Sequence, residues 1–158
     1  MNQQYPIVTD IIPSQKTAGL LKNILYSQDG ILTAHISYMY QSWLNSLHDK
    51  TFGSYLQSLA DSNGKILEAL GNMVFAFGGD PNFATQTGKN WSVQYLLLSK
   101  DRNVFLKNAI QMEQRAIKDI DNAIGKIENE SLKRLLETIK EDKENIVLYD
   151  FSRYDKDF

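Results

Sequence analysis

The sequence contains no cysteine among its 158 residues. That absence excludes disulfides, thiolate metal sites and cysteine nucleophiles, and it leaves the redox compartment open. No apolar run approaches the ~20 residues needed to span a bilayer, and the first residues lack the basic and apolar regions of a signal peptide. We therefore expect a soluble, cytoplasmic protein.

The sequence also lacks an excess of charge of either sign. Its 17 Lys and Arg residues face 19 Asp and Glu residues, for a formal net charge of -2. Because the two signs are interspersed, there is no basic surface for phosphate backbones or anionic lipid, so nucleic acid and membranes are not expected partners. The length suits one domain with a real core, so residues 1–158 are predicted to form a single domain.

Apolar residues recur at helical spacing, which predicts an all-α protein with four long helices. These helices are predicted over residues 14–47, 51–77, 101–126 and 131–153. The last two are joined by a short connection and should be antiparallel neighbours. The stretch between the second and third helices is much longer than a common helix connection, so it must cross the bundle, with room for a short helix at 91–98.

Two turn dipeptides, Asp29-Gly30 and Asn63-Gly64, lie in the middle of predicted helices. The apolar spacing continues in phase through both, and a glycine inside a helix costs only about 1 kcal/mol relative to alanine. We therefore predict that both helices continue, and we leave open whether either glycine produces a kink.

Two charged residues interrupt the apolar stripes of the third and fourth helices near their middles. Glu113 lies between Ile110 and Ile117, and Lys143 lies between Ile139 and Ile146. A buried charge is costly unless it is paired. The sequence therefore predicts a buried ion pair between Glu113 and Lys143.

Four segments together resemble rubrerythrin-like and manganese-catalase-like spore-coat proteins: ILTAHISYMYQSW, ILEALGNMVFAFGGDP, FLKNAIQMEQRAIKDI and TIKEDKENIVLYDF. The resemblance implies a ferritin-like four-helix bundle, made of two antiparallel helical hairpins joined by a long crossover. It also implies two iron or manganese ions in the core. Such ions are held by one glutamate on each of two helices and by Glu-x-x-His on each of the other two.

The resemblance places these ligand positions on residues that mostly cannot bind a metal. The six positions fall on Ile31, Asn63, Ile66, Glu113, Lys143 and Ile146. Only Glu113 keeps a ligand, and no Glu-x-x-His occurs anywhere in the chain. We therefore expect a degenerate site without a metal cofactor, in which the three isoleucines fill the ligands' volume and Asn63 pairs with Glu113 or water.

His35 lies one helical turn beyond Ile31, so we predict it as a polar neighbour of this former site. A mononuclear site made of His35 and Glu113 would have too few protein ligands for tight binding. Lys143 is not expected to act as a catalytic amine, because an adjacent carboxylate opposes the lowering of its pKa.

The predicted function is that of a non-catalytic structural or interaction protein, and the lost ligands disfavour an enzyme without excluding one. One alternative is a metal-dependent oxidoreductase or metal-binding protein that holds iron or manganese with other ligands. Another is a small-molecule binder whose emptied core is lined by Tyr38, Met73 and Phe77.

A homodimer is also expected, because ferritin-like bundles commonly pair along helix faces. The candidate patch residues are Trp43, Trp91, Tyr149 and Phe151. The resemblance further makes an association with spores an option for the location of the protein.

Overall fold

The chain folds into α-helices joined by turns and by one long crossover. The computed structural model describes residues 5–154. The helices are α1 (Gln15–Tyr26), α2 (Ile31–Asn45), α3 (Lys50–Ala76), α4 (Arg102–Ile124) and α5 (Glu130–Asn145). A π-helical turn (Ile146–Asp150) and a 3-10 turn (Phe151–Arg153) extend α5, so the predicted all-α fold is confirmed.

The segment predicted as one helix over 14–47 is divided into α1 and α2 by a turn at residues 27–30. The turn requires a glycine at position 30, because a Cβ atom there would lie 2.7 Å from the carbonyl oxygen of Leu25. The turn closes through a hydrogen bond from the Gly30 amide to the Ser27 carbonyl. Apolar spacing is in phase on both sides of the turn, which is why the pattern resembles a single helix.

The second turn dipeptide does not interrupt its helix. α3 continues through Asn63 and Gly64. The side-chain nitrogen Nδ2 of Asn63 donates to the Leu59 carbonyl 2.8 Å away, one turn earlier. A Cβ atom on Gly64 would lie 3.0 Å from Cε1 of His35, so this glycine makes room for a side chain of α2.

The crossover between α3 and α4 is fastened to α2 by side-chain hydrogen bonds. Gln41 is buried and donates through Nε2 to the carbonyls of Leu97 and Ser99, both 2.9 Å away. The indole nitrogen of Trp91 donates to Thr33 Oγ1 over 2.9 Å. The short helix predicted at 91–98 is reduced to one 3-10 turn, Val93–Tyr95.

Buried apolar side chains form two clusters, one toward each end of the bundle. One includes residues of α1, the late part of α4 from Ile120 onward and the early part of α5 as far as Ile139. The other includes residues of α2, the early part of α4 up to Met112 and the turn that begins at Ile146. The middle turns of α4 and α5 therefore lie where the two clusters meet.

Candidate functional site

The middle of α4 and α5 holds a buried ion pair. Lys143 Nζ lies 3.2 Å from Oε1 and 3.1 Å from Oε2 of Glu113. The two side chains are 4% and 0% exposed. Each belongs to an apolar helical stripe, so the antiparallel packing of α4 and α5 carries both into the core and brings them together.

The isoleucines assigned to ligand positions are buried hydrocarbon. Ile31 opens α2, Ile66 lies in α3 and Ile146 follows α5, and their exposed fractions are 0%, 4% and 1%. Ile31 and Ile66 belong to one apolar cluster and Ile146 to the other. Their burial stabilises the bundle by about 1.5 to 3 kcal/mol for each side chain.

Asn63 and Tyr38 add two uncharged polar groups to this buried interior. The Oδ1 atom of Asn63 has no hydrogen-bond partner within residues 5–154, and the Tyr38 hydroxyl is buried close to Glu113. Burial raises the pKa of Tyr38 well above its usual value, and the negative charge of Glu113 raises it further. Tyr38 is predicted from the sequence only as a residue that could line an emptied core, although its position two helical turns after Ile31 places both side chains on one face of α2.

No hydrogen bond joins His35 to the ion pair among the described residues, and its place as a polar neighbour of the former site stays a prediction. Its Nδ1 lies 2.7 Å from the Ala60 carbonyl, and its ring packs beside Gly64. The inward face of α2 carries Ile31, Ala34 and Tyr38, all almost completely buried. His35 follows Ala34 by one residue, so it is turned toward α3 and toward a cavity that opens outside the bundle.

Other acidic side chains near the pair are held elsewhere. Burial raises the pKa of Asp29, while Arg115, 3.7 Å away, lowers it, and the charge of Glu113 contributes a further rise. Asp142 accepts a 2.8 Å hydrogen bond from the hydroxyl of Tyr5. Across residues 5–154 there is no group of three or more His, Cys, Asp or Glu side chains that could hold a metal ion.

The side chains at the six ligand positions do not fit a two-ion centre. Iron and manganese sites in such bundles need several carboxylates and two imidazoles. These positions offer one carboxylate, which is already paired with an ammonium group, and one amide whose nitrogen is bonded to a carbonyl. No catalytic step through a dimetal centre can be assigned to these residues.

The residues proposed for an emptied core pocket do not line a common space. Tyr38 belongs to one apolar cluster, whereas Met73 and Phe77 pack in the other. Two cavities of about 520 and 600 Å³ lie outside these clusters, one between α2 and α3 and the other between the starts of α1 and α5.

The helices are arranged as in a ferritin-like bundle. Among solved structures, the chain is similar to KatB, a manganese catalase from Anabaena PCC7120, with a TM-score of 0.85. The alignment covers 98% of this chain and 78% of that one, at 20% sequence identity. A second structure, of wild-type KatB from Anabaena, matches to the same extent. No protein-family model and no curated protein matches the sequence.

This likeness confirms the fold and the predicted resemblance to manganese-catalase-like proteins. At this level of identity it does not transfer an activity. Within the described residues, no helix is long and apolar enough to cross a membrane.

Proposed function

We propose that this protein is a metal-free ferritin-like bundle with a structural or interaction role rather than a catalytic one. The observation that supports the proposal is the Glu113–Lys143 pair, with its N–O distance of 3.1 Å and almost no exposure to solvent. In this proposal the ammonium group neutralises the one carboxylate kept from the ancestral ligand set. An internal cation thereby replaces a bound one.

A divalent ion would have to displace that ammonium group from Glu113. Lys143 is tied to the backbone of α5, so the displaced charge would stay in a low-dielectric interior without a partner. Leaving one member of a buried pair uncompensated typically costs about 3 to 5 kcal/mol. One remaining carboxylate cannot offset this cost, because hard cations bind tightly only with several oxygen ligands.

The experiment that tests the catalytic side of this proposal is an oxygen-electrode assay of hydrogen peroxide decomposition. The protein is incubated with Mn(II) or Fe(II), desalted and assayed, with the same ions carried through desalting alone as the background. We expect the rate to equal the background. A protein-dependent rate that disappears in Glu113→Gln would overturn the proposal and restore an oxidoreductase.

We further propose that the interaction role includes pairing with a second copy of the chain. Of the aromatic residues named as patch candidates, Trp43 and Tyr149 are 63% and 60% exposed, whereas Phe151 is fully buried and Trp91 packs against the core. Leu148, beside Tyr149, is also 60% exposed. Sedimentation velocity should show a dimer that Leu148→Ser with Tyr149→Ser weakens, and a monomer at all concentrations would contradict this.

A further inference from the structure

A cavity of about 520 Å³ lies on the outer side of the α2–α3 hairpin. Its volume falls in the range of small-molecule sites, roughly 300 to 1,000 Å³. Its walls include His35, Met39 and Trp43 of α2, and Lys50 and Asp61 of α3. None of these residues belongs to the Glu113–Lys143 pair, so the cavity is a separate feature of the molecule.

His35 is held in one orientation at the inner wall of this cavity. Its Nδ1 lies 2.7 Å from the Ala60 carbonyl, which can only accept a hydrogen bond, so Nδ1 carries the proton. In the neutral ring the lone pair is then on Nε2. Nε2 has no hydrogen-bond partner among the residues that the structure describes. The ring of His35, which lines the cavity, therefore has one nitrogen left to accept a hydrogen bond, and its orientation is fixed by the other.

The glycine behind His35 sets the position of the ring. A Cβ atom at residue 64 would lie 3.0 Å from Cε1 and 3.2 Å from Nδ1 of the imidazole. Any larger residue there would push the ring outward and disturb its bond to the carbonyl. Gly64 thus leaves room for the His35 ring instead of forming a turn.

Trp43 and Met39 supply an apolar wall beside this acceptor. Trp43 is 63% exposed, so a large part of its indole surface is open to a partner. Aromatic rings pack favourably against an indole face and against a thioether. A fixed acceptor beside an aromatic wall matches a flat ring that carries its own hydrogen-bond donor.

We propose that this cavity binds a small planar heteroaromatic compound, whose ring packs on Trp43 and Met39 and whose N–H donates to Nε2 of His35. The proposal goes beyond the structural role argued above and does not depend on it. Metal content and peroxide chemistry test the Glu113–Lys143 region, whereas ligand binding tests this cavity, so either can fail without the other.

The first test compares indole with 1-methylindole, which has the same ring but no N–H. The four methionines of the chain are labelled with 13C at their methyl groups, and their NMR signals are followed during titration. We expect indole to shift the Met39 signal with a dissociation constant near 1 mM, as for a small fragment, and to leave that of buried Met112 unchanged. One hydrogen bond is worth roughly fivefold, so 1-methylindole should bind about fivefold more weakly.

Variants then assign the contacts. Trp43→Ala should abolish the Met39 shift with either compound, and His35→Phe should remove the preference for indole. His48→Gln is the matched control, because the second histidine is exposed and does not line the cavity. Gly64→Ala should also reduce the preference for indole, whereas Gly71→Ala, in the same helix and with only the Tyr26 hydroxyl 4.0 Å from the added Cβ, should not.

Indole and 1-methylindole are compared on the unmodified protein, so this result does not depend on whether any variant folds. Equal affinity for indole and 1-methylindole would overturn the hydrogen bond to His35. No shift of the Met39 signal at about 10 mM of either compound, above the affinity expected of a fragment, would overturn the site itself.

Discussion

Glu113 and Lys143 are shielded from bulk solvent, so each depends on the other for the stabilisation that solvent would give. The pair need not add to the free energy of unfolding relative to an apolar pair, because desolvation offsets most of its Coulomb energy. Removal of only one of the two charges has a different effect. A single substitution leaves a carboxylate or an ammonium group buried without its opposite charge.

Lys143→Met should therefore lower the free energy of unfolding by about 3 to 5 kcal/mol. The double variant Glu113→Leu with Lys143→Met should recover most of that loss, because no charge remains in the core. Urea unfolding followed by circular dichroism at 222 nm measures both values. A loss near zero in Lys143→Met would mean that the carboxylate finds water or another partner.

Lys140→Met is the matched control on the same helix. Lys140 Nζ lies 2.8 Å from Asp121, but the two side chains are 29% and 63% exposed. Exposed pairs contribute less than about 1 kcal/mol, so this variant should unfold almost like the unmodified protein.

The free energy of unfolding should depend on pH through Tyr5. Burial, followed by its hydrogen bond to Asp142, raises the pKa of Tyr5 to about 12 from the ordinary 10.0. Below pH 10 the phenol is neutral in both folded and unfolded chains, and its stabilising effect is complete. As the pH rises through the folded pKa, the unfolded state gains stability by ionising first, so the free energy of unfolding falls.

Tyr5→Phe should remove this part of the alkaline loss. The unmodified protein and Tyr5→Phe differ in their free energy of unfolding. Since the Tyr5 side chain is only half-buried, this difference should shrink by about 1 kcal/mol between pH 10 and pH 12. Thermal unfolding across that range measures it. Parallel curves for the two proteins would show that Tyr5 ionises equally easily in both states.

The turn between α1 and α2 accepts only a residue without a Cβ atom at position 30. A Cβ atom at this position would lie 2.7 Å from the Leu25 carbonyl oxygen and 2.8 Å from that of Ile24. Neither oxygen belongs to a flexible side chain, so the turn itself would have to move.

Gly30→Ala should therefore destabilise the bundle by roughly 2 to 4 kcal/mol, in the range of strained backbone sites. Gly71→Ala is the control, because it lies inside α3 with only the Tyr26 hydroxyl 4.0 Å from the added Cβ. That variant should gain about 0.5 to 1 kcal/mol from helix propensity. Equal unfolding midpoints for the two variants would refute the need for a glycine at position 30.

The sequence has a turn dipeptide at both Gly30 and Gly64, but only Gly30 lies at a break between two helices. Periodicity could not separate the two cases, because α1 and α2 keep their apolar phase across the turn. The difference lies in what surrounds each glycine: backbone carbonyls at Gly30 and the imidazole of His35 at Gly64. Contacts of this kind depend on the folded chain and are not visible in a spacing pattern.

The helices of the molecule and their order could be predicted from the apolar spacing and from one long crossover. The meeting of α4 and α5 at residues 113 and 143 follows from their antiparallel connection, since both positions lie on inward stripes. The side of α2 on which His35 lies is hard to predict, because a helical stripe is about 100° wide and one residue moves a side chain by that same angle. The outer cavity could not be predicted, because it is formed by residues of two helices that sequence alone does not align.

The most direct test of a metal-free bundle is the number of metal ions bound to each chain. Inductively coupled plasma mass spectrometry measures manganese and iron in protein purified without chelator, and again after incubation with Mn(II) or Fe(II) and desalting. The Glu113–Lys143 pair predicts near-zero stoichiometry in both samples. About two ions per chain, the content of a complete bundle centre, bound in the unmodified protein and lost in Glu113→Gln, would contradict it.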